Sequence, residues 1–87
     1  MYSFEFDPKK SESNQEKHGI DFVEAQAIWH DPDFVEVTAR SDDEPRALVV
    51  GMIGSKHWSA IITHRDDKIR IISVRRSRAS EVALYES

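Results

Sequence analysis

Alternation is the first signal along the chain. Residues 2–6, Tyr-Ser-Phe-Glu-Phe, put aromatic side chains on one side and polar ones on the other, the two-residue period of a half-buried strand. Asp7-Pro8 then reads as a helix start, with Asp as the N-cap acceptor and Pro at the first helical position, where no donor is needed. The helix runs through Lys17-His18 and stops at Gly19, which suits the left-handed position after a helix. From Lys9 to His18 it holds no large hydrophobe. Core burial alone cannot secure such a helix, so the pattern calls for a partner or ligand over part of it.

Asp21-Phe22-Val23-Glu24 is an Asp form of the capping box and predicts a second helix. Phe22, Ala25, Ile28 and Trp29 give it an apolar face, and His30-Asp31-Pro32 ends it. Four strands follow, at Phe34–Arg40, Arg46–Ile53, His57–Thr63 and Lys68–Val74. A charged loop at Ser41–Pro45, a tight hairpin at Gly54-Ser55-Lys56 and a turn at Asp66-Asp67 connect them. Ser77 or Ser80 can cap a short terminal helix carrying Val82, Leu84 and Tyr85. The order β-α-α-β-β-β-β-α, with short links among the last four strands, implies an antiparallel sheet with helices mainly on one face. We therefore expect an α+β fold, with residues 1–87 as a single domain free of repeats and linkers.

Composition narrows the classes. A chain of 87 residues buries little more than about 60% of its unfolded surface, so the core is small. With no cysteine, a disulfide scaffold and a thiolate zinc site are both excluded. No apolar run approaches the ~20 residues of a membrane span, and MYSFEFDPKK does not read as a signal peptide. The expected compartment is the cytoplasm, with no membrane partner.

Charge changes the picture more. Twelve Lys and Arg against 16 Asp and Glu give a net −4, which argues against a nucleic-acid binder. The distribution is uneven. Between His64 and Arg78 stand six basic residues (Arg65, Lys68, Arg70, Arg75, Arg76, Arg78) and two acidic ones (Asp66, Asp67), a net +4. Residues 1–63 carry 6 basic and 12 acidic side chains, a net −6, and residues 79–87 add −2. An asymmetry of this kind marks a local anion site.

Arg70 lies within an apolar strand, and Arg75 and Arg76 stand at its exit just before a helix. Arginine forks beside helix amides form a phosphate or carboxylate receptor. The same residues are equally well explained by a core carboxylate paired with Arg70 and by solvated charge at Arg75, Arg76 and Arg78. Lys17-His18 at a helix end offers a group that can move a proton near neutral pH. Cations there also simply complement the helix dipole, which is the commoner reason to find them. His30, His57 and His64 lack the spacing of a metal site, Trp29 and Trp58 read as core, and Tyr85 is a weaker proton donor candidate. No serine triad, carboxylate pair, P-loop or dinucleotide fingerprint is present, so no cofactor is expected. Chemistry on a phosphodiester remains, with RNA suited because its 2′-OH is an internal nucleophile.

Two blocks then resemble one family. The first is Phe4-Glu5-Phe6-Asp7-Pro8 with Lys10, Asn14, Lys17-His18-Gly19-Ile20, Phe22 and Ala25. The second is Arg70-Ile71-Ile72-Ser73, Arg75-Arg76, Glu81 and Tyr85, with Arg46 and Gly51 between the blocks. Together they resemble the BrnT family of bacterial toxins over nearly the whole chain. The resemblance implies a RelE-like fold, a metal-independent endoribonuclease acting on an RNA substrate, and a BrnA-like ribbon-helix-helix antitoxin through which the pair binds operator DNA. Carried over residue by residue, the candidate catalytic set is Lys17, His18, Arg70, Arg75, Arg76 and Tyr85, with Lys10, Arg65 and Arg78 as RNA contacts. Asp7 and Ser73 are read as structural, a cap and a buried strand hydroxyl. The sequence departs from the family pattern at Ile62-Thr63-His64-Arg65 and in a terminal helix poor in cations. A module that binds its antitoxin without cleaving RNA is the competing expectation.

Overall fold

The strong strand patterns between residues 34 and 76 dominate the architecture. The computed structural model describes residues 2–39 and 44–87; the expected strand end at Arg40 and most of the expected loop at Ser41–Pro45 lie outside them. The elements are β1 (Phe4–Glu5), α1 (Pro8–His18), a 3₁₀ helix (Glu24–His30), β2 (Val35–Ala39), β3 (Arg46–Ile53), β4 (Lys56–Arg65), β5 (Lys68–Arg76) and α2 (Ala79–Glu86). Strands β2 to β5 form the expected antiparallel meander, closed by two-residue turns at Gly54-Ser55 and Asp66-Asp67. Gly54 and Asp66 take positive φ there, as tight hairpins require. No helix among the described residues is long and apolar enough to cross a membrane.

Three expectations are corrected. The sheet is mixed rather than antiparallel: its order is β1-β5-β4-β3-β2, and β1 lies parallel to β5, with Phe4 opposite Ile69 and Glu5 opposite Arg70. A two-residue strand followed directly by a helix has no hairpin to reverse it. The second helix is a 3₁₀ turn rather than an α-helix. Phe22, Ala25 and Ile28 are three residues apart and fully buried, so three residues per turn aligns them in one row on the sheet. Gly51 of β3 lets this segment approach; a Cβ there would lie 2.9 Å from the Ile28 side chain and 3.1 Å from its carbonyl oxygen. Finally, neither Ser77 nor Ser80 caps α2. Arg78 occupies the N-cap, and its amide donates to Glu81 of the first turn at 2.9 Å.

The main core lies between the sheet and the segment from Ile20 to Trp29. It contains Phe22, Ala25, Ile28 and Trp29 against Val49, Ala60, Ile62, Ile71 and Val74, with Phe4, Phe6 and Phe34 at its border. Ser59 faces the other way from Ala60, and α2 packs on that opposite face through Glu81. The helices are therefore split between the two faces, α2 alone on its side.

Helix α1 shows how a polar helix is held. Its buried residues are Ser11 and Asn14, and both are hydrogen-bonded. Ser11 Oγ accepts the Phe22 amide at 2.9 Å. Asn14 accepts the Val74 amide at 3.2 Å and donates to the Val74 and Ile20 carbonyls at 2.9 and 2.8 Å. β1 pairs with β5 only at residues 69 and 70, so farther along the strand the Asn14 amide stands in for the missing neighbour. Removing it leaves buried backbone groups unpaired, at about 1–3 kcal/mol each. Asn14→Ala is accordingly expected to lower the unfolding free energy by about 3 kcal/mol in urea titration, far more than an average exposed helix substitution.

Candidate functional site

The basic strand is irregular where it matters. Ile61 pairs with Ser73 but Ile62 with Ile71, so Ile72 is an extra residue in β5. Ile69 and Ile71 point into the core before it, and Val74 after it. In a regular strand, residues five apart occupy opposite faces. The bulge resets the phase, and Arg70 and Arg75 share the face away from the main core.

Each of these arginines has a carboxylate. Arg70 Nη1 donates to Glu5 at 2.9 Å, beside it in the ladder, and Arg65 lies 3.9 Å from the same oxygen. Arg75 makes a two-pronged contact with Glu81, both nitrogen–oxygen distances being 2.8 Å. Glu81 also accepts from Ser59 Oγ at 2.8 Å and from the Arg78 amide. The Arg75 guanidinium, more than any other partner, holds the Glu81 carboxyl down to about 2 against an ordinary 4.5. The same contact raises Arg75 above its usual range. Of the remaining cations, Arg78 is exposed at the start of α2, and exposed Arg76 lies 5.6 Å from the centre of the Trp58 ring.

Tyr85 is similarly engaged. Its hydroxyl donates to Asp31 at 2.7 Å, and that bond pushes its pKa up to about 12. Burial alone would raise the Asp31 carboxyl, but the Met52 amide, Tyr85 and the Asp33 amide outweigh it and leave it below its ordinary value. The His57 ring meets Tyr85 edge-on at 5.1 Å and its Nε2 lies 3.0 Å from Glu86. This arrangement fastens the far end of α2 to the β3–β4 hairpin.

Lys10, Lys17 and His18 do come together. They edge a groove of about 190 Å³ between α1 and the bulge of β5, floored by Ser13, Asn14, Ile72 and Ser73. Among the described residues no carboxylate lines it. Ser73, expected to be buried, is half-buried and faces this groove. Arg70 and Arg75 flank it along the strand, four ladder positions apart because of the bulge, about 13 Å at ~3.3 Å per residue. Neither of them lines the groove, nor do Arg65, Arg76, Arg78 or Tyr85. Two ammonium groups and an imidazole without an opposing acid can hold an anion and transfer a proton. Sequence reasoning gave no structural role to Asn14 or Glu81, although both stood in the family-like blocks. The signal for Asn14 was a helix with nothing apolar to bury.

The Glu81 cluster yields a pH dependence. Its folded pKa lies below the unfolded one, so the folded chain binds fewer protons and gains stability above the unfolded value. A carboxyl at about 2 folded and 4.5 unfolded contributes on the order of 3 kcal/mol at neutral pH. That contribution is lost as pH falls from about 5 towards 2. Glu81→Gln is expected to melt well below the parent chain at pH 7, with the gap shrinking by about half by pH 3; thermal melts across that range measure it.

These residues span the stretch that a family comparison matches. The model described as "Ribonuclease toxin, BrnT, of type II toxin-antitoxin system" covers residues 6–81, from the end of the first aromatic segment to Glu81. No curated protein matches the chain. With both α1 and the whole of β2 to β5 inside that match, the chain belongs to the BrnT family of ribonuclease toxins of type II toxin–antitoxin systems.

Proposed function

We propose that this toxin is a metal-independent endoribonuclease whose reacting phosphate sits in the groove of Lys10, Lys17 and His18. The observation that carries the reading is the convergence of these three side chains beside Ser73, with no carboxylate among the described residues lining the groove. His18 takes the proton of the 2′-OH, O2′ attacks the adjacent phosphorus, and the P–O5′ bond breaks. The proton returns to O5′, leaving a 2′,3′-cyclic phosphate and a 5′-hydroxyl. Lys10 and Lys17 stabilise the charge gathered on the phosphoryl oxygens. Arg70 and Arg75 shape the strand and add positive potential at its flanks, and exposed Arg76 and Arg78 contact the RNA backbone. Tyr85 has no part in proton transfer in this scheme, since its hydroxyl is bonded to Asp31. The toxin acts in the cytoplasm and is neutralised by a BrnA-like ribbon-helix-helix antitoxin, which carries the pair to operator DNA.

One observation favours the competing reading of a binding module without activity: Glu81 occupies both prongs of Arg75, and Glu5 holds Arg70. Incubation with single-stranded RNA in EDTA decides between them. The enzyme reading expects products ending in 2′,3′-cyclic phosphate, and no cutting where the attacking nucleotide is 2′-deoxy. Lys17→Ala and His18→Ala are expected to reduce kcat by about a hundredfold or more. Arg76→Ala is expected to raise KM severalfold and to flatten its salt dependence while leaving kcat. Intact RNA with a folded parent chain would sink the enzyme reading.

A further inference from the structure

On the other side of α1 the surface has the opposite character. Tyr2, Phe4, Val23, Ala27 and Trp29 line an apolar trough of about 790 Å³ along β1 and the 3₁₀ helix. Tyr2 is 51% and Val23 62% exposed, two of the three large hydrophobics left open to solvent among the described residues, the other being Leu84. A separate depression of about 480 Å³ is lined by Phe6, Pro8 and the Ser11–Glu16 side of α1. The two are neighbours: Asp21 lines one and Glu24 the other, and the Asp21 amide donates to Glu24 at 3.1 Å.

The rim is acidic. Glu12, Glu16 and Asp21 border the second depression and Glu24 the first, and among the described residues His30 is the one basic side chain lining either. Four carboxylates repel RNA. They also repel a second copy of the same face, because a two-fold contact sets like against like. What fits is a protein segment with apolar anchors for the Tyr2–Val23 trough and Lys or Arg along its border.

We propose that this trough receives a basic, apolar-anchored segment of the antitoxin. The identity of the partner rests on the toxin–antitoxin reading; the chemistry of the segment rests on the trough. A segment seated here leaves the Lys10–Lys17–His18 groove uncovered by direct contact, so neutralisation would come from the bulk of the partner or from displaced RNA.

The test titrates the ¹⁵N-labelled chain with a short Leu/Lys amphipathic peptide, its Leu/Glu counterpart and a single-stranded RNA. The Leu/Lys peptide is expected to shift the amides of Tyr2, Val23 and Ala27, and the Leu/Glu peptide to shift none. Glu12→Lys combined with Glu16→Lys, on the exposed side of α1, and separately Val23→Asp, are expected to weaken peptide binding and co-purification with co-expressed antitoxin by about tenfold or more. Melting temperature and RNA cleavage are expected to stay as in the parent. Peptide shifts confined to the β5 groove, RNA shifts in the trough, or unchanged antitoxin binding in the Glu12/Glu16 variant would each overturn the proposal. A chain that binds the peptide but cuts no RNA refutes the ribonuclease reading and leaves the trough standing.

Discussion

The bond pair between Asn14 and the main chain of Val74 is the constraint from which the rest follows. An eleven-residue helix with no apolar stripe has little reason to stay on a protein surface. It stays because one buried amide offers β5 both a donor and an acceptor where β1 has run out. A buried polar contact that satisfies all its groups is specific as well as stabilising, because a shift by one residue leaves several of them unpaired. The register of α1 along β5 is thereby set, and with it the position of Lys10 and Lys17, four residues before and three after Asn14. The groove exists because a structural asparagine lies between two lysines.

The arginines of β5 obey a second constraint. A guanidinium on a half-buried strand face needs anions, and the fold supplies one from each neighbouring element, Glu5 from β1 and Glu81 from α2. The Glu81 contact also closes the start of α2, since the same carboxylate accepts the N-cap amide. The arginines thus fasten the sheet's edge strand and terminal helix, while the cations with no such assignment, on α1, are left to meet a ligand. Of the six cations in the positive window, Arg70 and Arg75 are spent on these pairs, and Arg65, Lys68, Arg76 and Arg78 stay exposed.

How much of this was legible depended on the range of the interaction. Strands β2 to β5 were readable because each shows its own alternation between its own turns. The 3₁₀ helix was not separable from an α-helix, because Phe22, Ala25, Ile28 and Trp29 satisfy either period within an eight-residue window. The direction of β1 was hidden because two residues carry no register signal. The side taken by α2 hinged on the Arg75–Glu81 pair, and the phase of Arg75 on a one-residue bulge. Lys10, Lys17 and His18 share a helix face that the sequence did display; their meeting with Ser73 depends on a contact spanning sixty residues, which no local pattern encodes.

The net charge of −4 now has a structural meaning. At 100° per residue, Lys10, Ser13, Asn14 and Lys17 occupy one side of α1, and Glu12, Gln15 and Glu16 the other. The helix is therefore segregated in charge rather than in hydropathy, with Lys9 as the exception on the acidic side. Its basic side borders the groove on β5 and its acidic side borders the trough on the 3₁₀ helix. A polyanion and a basic protein segment can each be recognised on opposite flanks of the same short helix, without either having to tolerate the other's charge. An acidic total then poses no contradiction for a ribonuclease toxin, because most of the surplus acid stands where a basic partner would dock and not where RNA would lie. The absence of large hydrophobes in α1, the sequence's first anomaly, fits the same division: with ligands expected on both sides, the helix is held to its own protein by the short, polar, buried contacts of Ser11 and Asn14.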